Sequence, residues 1–566
     1  MSLFRTTILF LALIELLSIF AWALPIFNTA CFFVILVMVL FLSLKNLAYG
    51  LFAVFAELII GSYGYLFSLN LANGSTIISI RLGLFIVVML ALAVNILKNG
   101  LANYWQTLKA FKFFKYYLWL SAVVAWGFAW GIIRGNNFGN VFLDFNNWLF
   151  FLYLLPLVSI HQDRRFWFVF KSVVSAALIW LILKTLILLY IFSHQFIWAL
   201  PELYRFVRDT RVGEITAFSG NFYRVFIQSQ IYALLGFCIL LPISNKIKNP
   251  KLKIQNLFNS YHLLLIICLT TVIISFSRSF WVGLAAGLFF YFFITLFFKT
   301  KFLDIIKIFT KIILLGGLSA GFIFINIVFF SSHAFWVGLV LLLYLYLFIS
   351  LFLKFKMFNI IKLFIKPLAI IGFSVGIIFA VINLPPKISR ANLGQLFLSR
   401  TTMVEAAGSS RLNMLKPLLD AILRQPLIGS GFGATVTYKS ADPRVTSATA
   451  GGSGEFTTYA FEWAYLDLLL KIGLFGVFIY LLLIFKLLQA LWQRVKLQTP
   501  NLELKIGSKF KIPNSKFQIQ SLSVGLFAAL TALLAVNVFT PYLNHPLGIG
   551  FILIVSVWLD RDKAQN

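Results

Sequence analysis

Apolar runs of roughly twenty residues follow one another along almost the whole chain, and this spacing decides what it can become. A bilayer core about 30 Å thick is crossed by roughly 20 apolar residues in a helix. Away from water, a lone segment satisfies its own backbone hydrogen bonds only as a helix. Measured with that ruler, the chain divides into spans at 7–24, 28–44, 47–69, 77–97, 116–133, 146–160, 166–192, 225–243, 261–276, 279–298, 312–330, 335–353, 367–384, 463–488, 520–539 and 546–559. The expected fold is all-α, a polytopic transmembrane helical bundle of about 14–16 spans with one large outer-face loop module.

Composition agrees. Of 566 residues 61% are hydrophobic and only 11% charged, against about 25% charged in an average soluble domain. A net charge of +30 would suggest nucleic acid in a soluble protein. Here the basic residues fall in short clusters between apolar runs, which marks topology instead, so no nucleic-acid partner is expected. Arg5, Lys45, Lys98 to Lys115, Arg164 and Arg165, Lys246 to Lys253, Lys299 to Lys311, Lys354 to Lys366, Lys486 to Lys516, and Arg561 with Lys563 occupy alternate connections. By the positive-inside rule both termini and these loops face the cytoplasm of a cytoplasmic (inner) membrane. The first apolar run lacks a small-residue cleavage site and reads as an uncleaved helix. Cys31, Cys238 and Cys268 lie inside apolar runs, without metal or disulfide spacing.

Three parts follow from this walk: an N-terminal bundle, 1–384; a large extracytoplasmic loop, 385–462; and C-terminal helices, 463–566, with a cytoplasmic loop at 486–519. Within the first part, Ser277-Arg-Ser-Phe-Trp-Val-Gly-Leu284 matches Ser332-His-Ala-Phe-Trp-Val-Gly-Leu339, and the match continues to Gly317/Gly372. A constant offset marks a tandem duplication of one hairpin, 277–385, in which Arg278 of the first copy becomes His333 of the second.

The outer loops carry arginine where topology signals disfavour cations: Arg205, Arg208, Arg211 and Arg224 in 193–224, then Arg390, Arg400, Arg411, Arg424 and Arg444 in 385–462. The cytoplasmic clusters are mostly lysine. A planar guanidinium grips phosphate through two hydrogen bonds, so an outer-face phosphate or pyrophosphate is the ligand this pattern suits. The bland alternative pairs single arginines with Glu202, Asp209, Glu214, Glu405 or Asp420. Arg411 opens a helix with Leu412, Leu415, Leu419 and Leu423 on one face, suited to the membrane surface, kinked or broken at Pro417 and ended by Pro426. Leu427 to Gly433 then reads as a tight turn, because the strand and helix that flank a nucleotide-binding glycine loop are missing. Glu462 enters the following span from outside, where a carboxylate can serve as general base, with Asp467 one turn deeper as its rival. His545 reads as a solvated interfacial residue. No metal-ligand constellation appears in the sequence, so neither a metal nor a cofactor is expected.

Three of these segments, in order, resemble the O-antigen ligase/polymerase (Wzy-like) family: Ser277-Arg278 before Phe-Trp-Val-Gly, Arg411 with Pro426 to Gly433, and Glu462 with Tyr465-Leu466 and Gly473/Gly476. The resemblance implies an inverting, metal-independent glycosyltransferase that moves a glycan from a polyprenyl pyrophosphate to a glycan, lipid or protein acceptor hydroxyl, among membrane lipids. It implies that Arg278 and Arg411 bind the pyrophosphate and stabilise leaving-group charge, with Arg224 and Arg400 as further contacts, and that residue 462 takes the acceptor proton. Ligases of the family generally have His at that position; Glu here leans towards polymerase. The rival reading from another class is a transporter or flippase, which would place ionisable residues near mid-bilayer. Glu15, Glu57, Lys171 and Lys184 are the few mid-span charges, and they do not cluster in sequence.

Overall fold

The computed structural model describes residues 3–71, 76–246, 260–297, 358–386, 392–399, 406–440, 454–497 and 514–561. They form helices α1 (Leu3–Ala23), α2 (Pro25–Lys45), α3 (Leu47–Ile60), α4 (Ile80–Asn99), α5 (Leu101–Ala110), α6 (Phe114–Ile133), α7 (Phe138–Trp148), α8 (Leu154–Ile160), α9 (Arg164–Ser193), α10 (Leu200–Asp209), α11 (Ile231–Lys246), α12 (Ser260–Ile274) and α13 (Arg278–Phe297). There follow α14 (Phe358–Asn383), α15 (Leu393–Ser399), α16 (Ala406–Arg424), α17 (Ala464–Leu497), α18 (Asn514–Val536) and α19 (Pro546–Arg561). Among the described residues nine helical stretches are long and apolar enough to cross a membrane, and four apolar helices are shorter. The chain is a multi-pass bundle, as its apolar runs predict. The spans expected at 312–330 and 335–353, and with them parts of both copies of the duplicated hairpin, lie outside the described residues, while the end of the second copy is α14.

Helices α11, α13 and α17 pack on α18, while α1 and α3 pack on α9, α2 on α4, and α6 on α17. One apolar core runs through the bundle; a second, smaller one lies beneath α16. Three two-stranded antiparallel hairpins decorate the connections: β1 (Ser68–Leu71) with β2 (Thr76–Ser79), β3 (Gly213–Ala217) with β4 (Tyr223–Ile227), and β5 (Val436–Lys439) with β6 (Glu455–Thr458). They correct three boundaries, one of them the start of the expected span 77–97, whose residues 77–79 lie in β2 before helix begins at Ile80. The expected span 47–69 ends as helix at Ile60, where Gly61 caps it, and Ser62 takes a left-handed φ of 58°. The expected span 225–243 begins as strand, because aromatic and β-branched residues in Tyr223–Ile227 suit a pleated ribbon, and helix starts at Ile231.

Buried charges are paired across the bundle. Glu15 on α1 accepts two hydrogen bonds from Lys184 on α9, at 3.0 and 3.1 Å. Arg81 on α4 forks onto both oxygens of Glu57 on α3, at 2.9 and 3.0 Å. Of the four expected mid-span charges, Glu15, Glu57 and Lys184 are thus paired in space, as isolated charges in a low-dielectric interior must be, while Lys171 is exposed.

Candidate functional site

The site is built around α16, which runs uninterrupted from Ala406 to Arg424 through Pro417. This overturns the expected break. A proline removes one helical hydrogen bond, and here the helix is held from the side: Met414, Leu418 and Ile422 are buried against Val436, Phe461 and Leu470. The anchoring face is therefore not the leucine stripe. Leu412, Leu419 and Leu423 are exposed on the adjacent face of the helix, available to the membrane surface that the stripe suits.

Arg411 meets Glu462. Its Nε donates to Glu462 Oε2, and Trp463 Nε1 donates to the Arg411 carbonyl at 2.9 Å. Helix α16 and the entrance to α17 are thus clamped together, and the Arg411 and Glu462 side chains stay 29% and 52% exposed, open to a ligand.

Arg224 and Arg278 form a second basic corner. Arg224, on β4, donates from Nε to the Ser275 carbonyl at 2.7 Å, three residues before Arg278 opens α13. A helix N-terminus adds the positive end of its dipole to that corner. Ser279 on the first turn accepts from Thr540 Oγ1 at 2.9 Å, and the neighbouring Phe539 ring packs on Trp463 at 5.5 Å between centroids. A chain of contacts therefore joins the two corners at one end of the bundle. Arg400, expected beside them, lies outside the described residues. Of the other outer arginines, Arg205 follows the bland alternative and pairs with Glu202 at 3.7 Å.

Behind this entrance α17 is broken. Gly473 has φ 66° and ψ 179° in an otherwise helical run, and the expected tight turn at 427–433 fills the break. Ser430 and Gly431 N–H groups donate to the Leu470 and Lys471 carbonyls at 2.6 and 3.1 Å, while Leu474 and Phe475 N–H groups donate to Pro426 and Leu427 at 2.8 and 3.1 Å. The backbone groups released by the break are thereby satisfied, as they must be within a membrane bundle. Gly431, with φ 78°, lies so close to Gly131 that any side chain would collide with its backbone. Trp130 Nε1 and the Asn136 amide, from α6 and the turn after it, bond the carbonyls of Gly429, Ser430 and Phe432 at 2.8–3.1 Å.

The upper half of α17 carries a buried cluster that sequence reasoning did not assemble. Lys471 Nζ lies 2.8 Å from Asp144 Oδ1 and 2.7 Å from Asp467 Oδ1. Asp144 Oδ2 accepts the Gly433 N–H at 2.8 Å, and Asp467 Oδ2 accepts the Asn544 amide at 2.7 Å. Asp467, the rival base, is 2% exposed and ion-paired with Lys471. The i, i+4 spacing of Asp467 and Lys471 was a readable signal; the partnership with Asp144 was not. His545 departs from its expected solvated state. It is half-buried, its ring packs on Tyr63 at 5.1 Å, and its Nδ1 accepts the Leu547 N–H at 3.3 Å. Burial first, and Arg81 second, push its pKa down to about 3. Among the described residues no His, Cys, Asp and Glu group is arranged to hold a metal ion.

Compared with protein-family models, curated proteins and solved structures, the chain matches none.

Proposed function

We propose that the chain is a glycosyltransferase of the lipid-linked glycan polymerase or ligase type, acting at the outer face of the cytoplasmic membrane with both termini inside. The observation that supports the reading is the Arg411–Glu462 contact, a guanidinium and a carboxylate side by side and partly exposed, which suits a phosphate-binding cation beside a base.

The chemistry then runs as a displacement. The polyprenyl pyrophosphate of the donor takes the guanidinium of Arg411 from Glu462, because a pyrophosphate offers more charge and more acceptor oxygens than one carboxylate. Glu462, released, accepts the proton of the acceptor hydroxyl as that oxygen attacks the anomeric carbon. The bond to the pyrophosphate breaks on the opposite face, so configuration inverts, and Arg411 and Arg278 stabilise the leaving charge. Inversion needs base and leaving group on opposite sides of the sugar, so the resting ion pair must open to admit it. Arg224, tied to Ser275, holds the loop that presents Arg278. Glu462 is preferred over Asp467 as base because it is exposed, whereas Asp467 is already paired with Lys471.

The test is the lipid-linked and polymeric glycan profile of a knockout complemented with wild type or Arg411→Ala. A mutant that matches the knockout supports the reading. Accumulation of single repeat units then means polymerase; finished polymer left on the carrier means ligase. One observation favours transport as the second reading: a broken helix beside buried charges is the construction many transporters use for a substrate site. Unchanged glycans, or full complementation by Arg411→Ala, would favour it.

A further inference from the structure

Between α4, α7, the upper half of α17 and the turn before α19 lies a cavity of about 240 Å³. Aromatic faces (Tyr63, Tyr65, Tyr459), side-chain amides (Asn146, Asn147, Asn544) and the Asp144–Lys471–Asp467 cluster all contribute to its wall. A second cavity of about 300 Å³, between α10 and the β3–β4 hairpin, shares Tyr63 and Arg211 with the first. Arg211 stands at this common wall in a left-handed backbone conformation, φ 53°. Its guanidinium lies over the Tyr65 ring at 4.6 Å. A non-glycine residue held there is strained, and strain of this kind collects at sites that grip ligands.

We infer that the two cavities are adjoining subsites for two neighbouring rings of an uncharged glycan, one ring in each. The inference rests on the transferase reading and narrows its substrate to neutral sugars. Three arguments converge. Size comes first: each volume lies at or below the lower end of the roughly 300–1,000 Å³ range of pockets for drug-sized ligands, which suits one ring per cavity. Charge is the second. Around the first cavity, Arg81, Arg211 and Lys471 are offset by Glu57, Asp144 and Asp467, so a charged ring finds no net attraction there. The third is chemistry. A sugar ring has C–H faces that pack on aromatic rings and hydroxyls that both donate and accept, which amides and carboxylates match from both sides. A site built to bond hydroxyls rejects analogues that lack them. Both cavities stand apart from Arg411 and Glu462, which line neither.

The experiment is saturation-transfer NMR on the full chain in nanodiscs, with cellobiose, lactose and N,N′-diacetylchitobiose as neutral probes and glucuronic acid as a charged one. Neutral disaccharides should give signal on both rings. Asn147→Ala, Tyr65→Ala and Arg211→Ala should each weaken it about tenfold, a loss typical of one or two missing polar or stacking contacts. Tyr65→Phe keeps the ring face and should retain most of the signal, which separates stacking from misfolding. Arg411→Ala should bind these sugars as wild type does. Signal from glucuronic acid alone, no signal from any neutral probe, or signal unchanged in all three alanine variants would overturn the inference. If sugars bind while Arg411→Ala complements fully, the subsites stand and the transferase reading falls. If Arg411 is needed for glycan transfer but no neutral probe binds, the reverse holds.

Discussion

Two charged groups at the two ends of one short half-helix differ in almost everything except their chemistry. Arg411–Glu462 at the entrance is a single pair whose side chains are 29% and 52% exposed. Asp144–Lys471–Asp467, within the bundle, has side chains between 2% and 10% exposed and is further bonded to Gly433 and Asn544. An exposed ion pair contributes little to folding, about 0–1 kcal/mol, so its partners are free to exchange for a ligand. A buried cluster is the opposite: removing any member strands charge in a low dielectric. The difference separates a group that can react from one that holds the structure.

Substitutions can break that contrast. Glu462→Gln or Arg411→Ala should lower glycan transfer by about 10²–10⁴-fold, the range for losing a general base or a transition-state cation, while thermal unfolding in detergent shifts little. Loss of fold in either would make the entrance pair structural too. Lys471→Met should do the reverse and destabilise by about 3–5 kcal/mol, the cost of stranding a buried partner; a melting temperature equal to wild type would sink the distinction.

Gly473→Ala tests the join between the groups. Its left-handed φ and the nearby Leu427 carbonyl leave no room for a Cβ, and the backbone term alone is about 1–3 kcal/mol. Retained stability there would mean that the turn at 427–433 adapts to a continuous helix.

The smallest effect concerns pH. His545 is held neutral, its pKa pushed down to about 3, whereas an unfolded chain's histidine takes up a proton near 6.5. The stability gained by keeping it neutral is full above pH 6.5. It is lost progressively as pH falls from there towards 3, at no more than about 1.4 kcal/mol per pH unit. His545→Gln should flatten melting temperature against pH in that window; an unchanged slope would place the sensitivity elsewhere.

The contrast also explains what the sequence discloses. Helices of the bundle are legible because each satisfies a local rule of length and apolarity, which is why every expected span among the described residues contains helix, even where its end is strand. The candidate arginines are legible one by one, since arginine in a loop that the charge pattern assigns to the outside breaks a topology rule. The meeting of Arg411 with Glu462 is not: they are 51 positions apart, and only the packing of α16 on α17 brings them together. The face that makes this packing, Met414, Leu418 and Ile422, was overlooked because the leucine stripe beside it is the stronger apolar signal. Asp144 and Lys471 are 327 positions apart, and no local pattern relates them. The break at Gly473 is equally silent, because glycine within an apolar run reads as helix until a partner strand of backbone is known.

The stitched break sets an order of assembly. Residues 426–433 are fixed from one side by α6, made early in synthesis, and from the other by α17, made after them. The turn cannot lock until residues 470–475 of α17 have left the ribosome, and α16, which carries Arg411, gains its contacts with Phe461, Trp463 and Leu470 at the same late stage. A nascent chain therefore inserts most of its helices before Arg411 and Glu462 can meet, and that pair is completed late, by the closing of a seam.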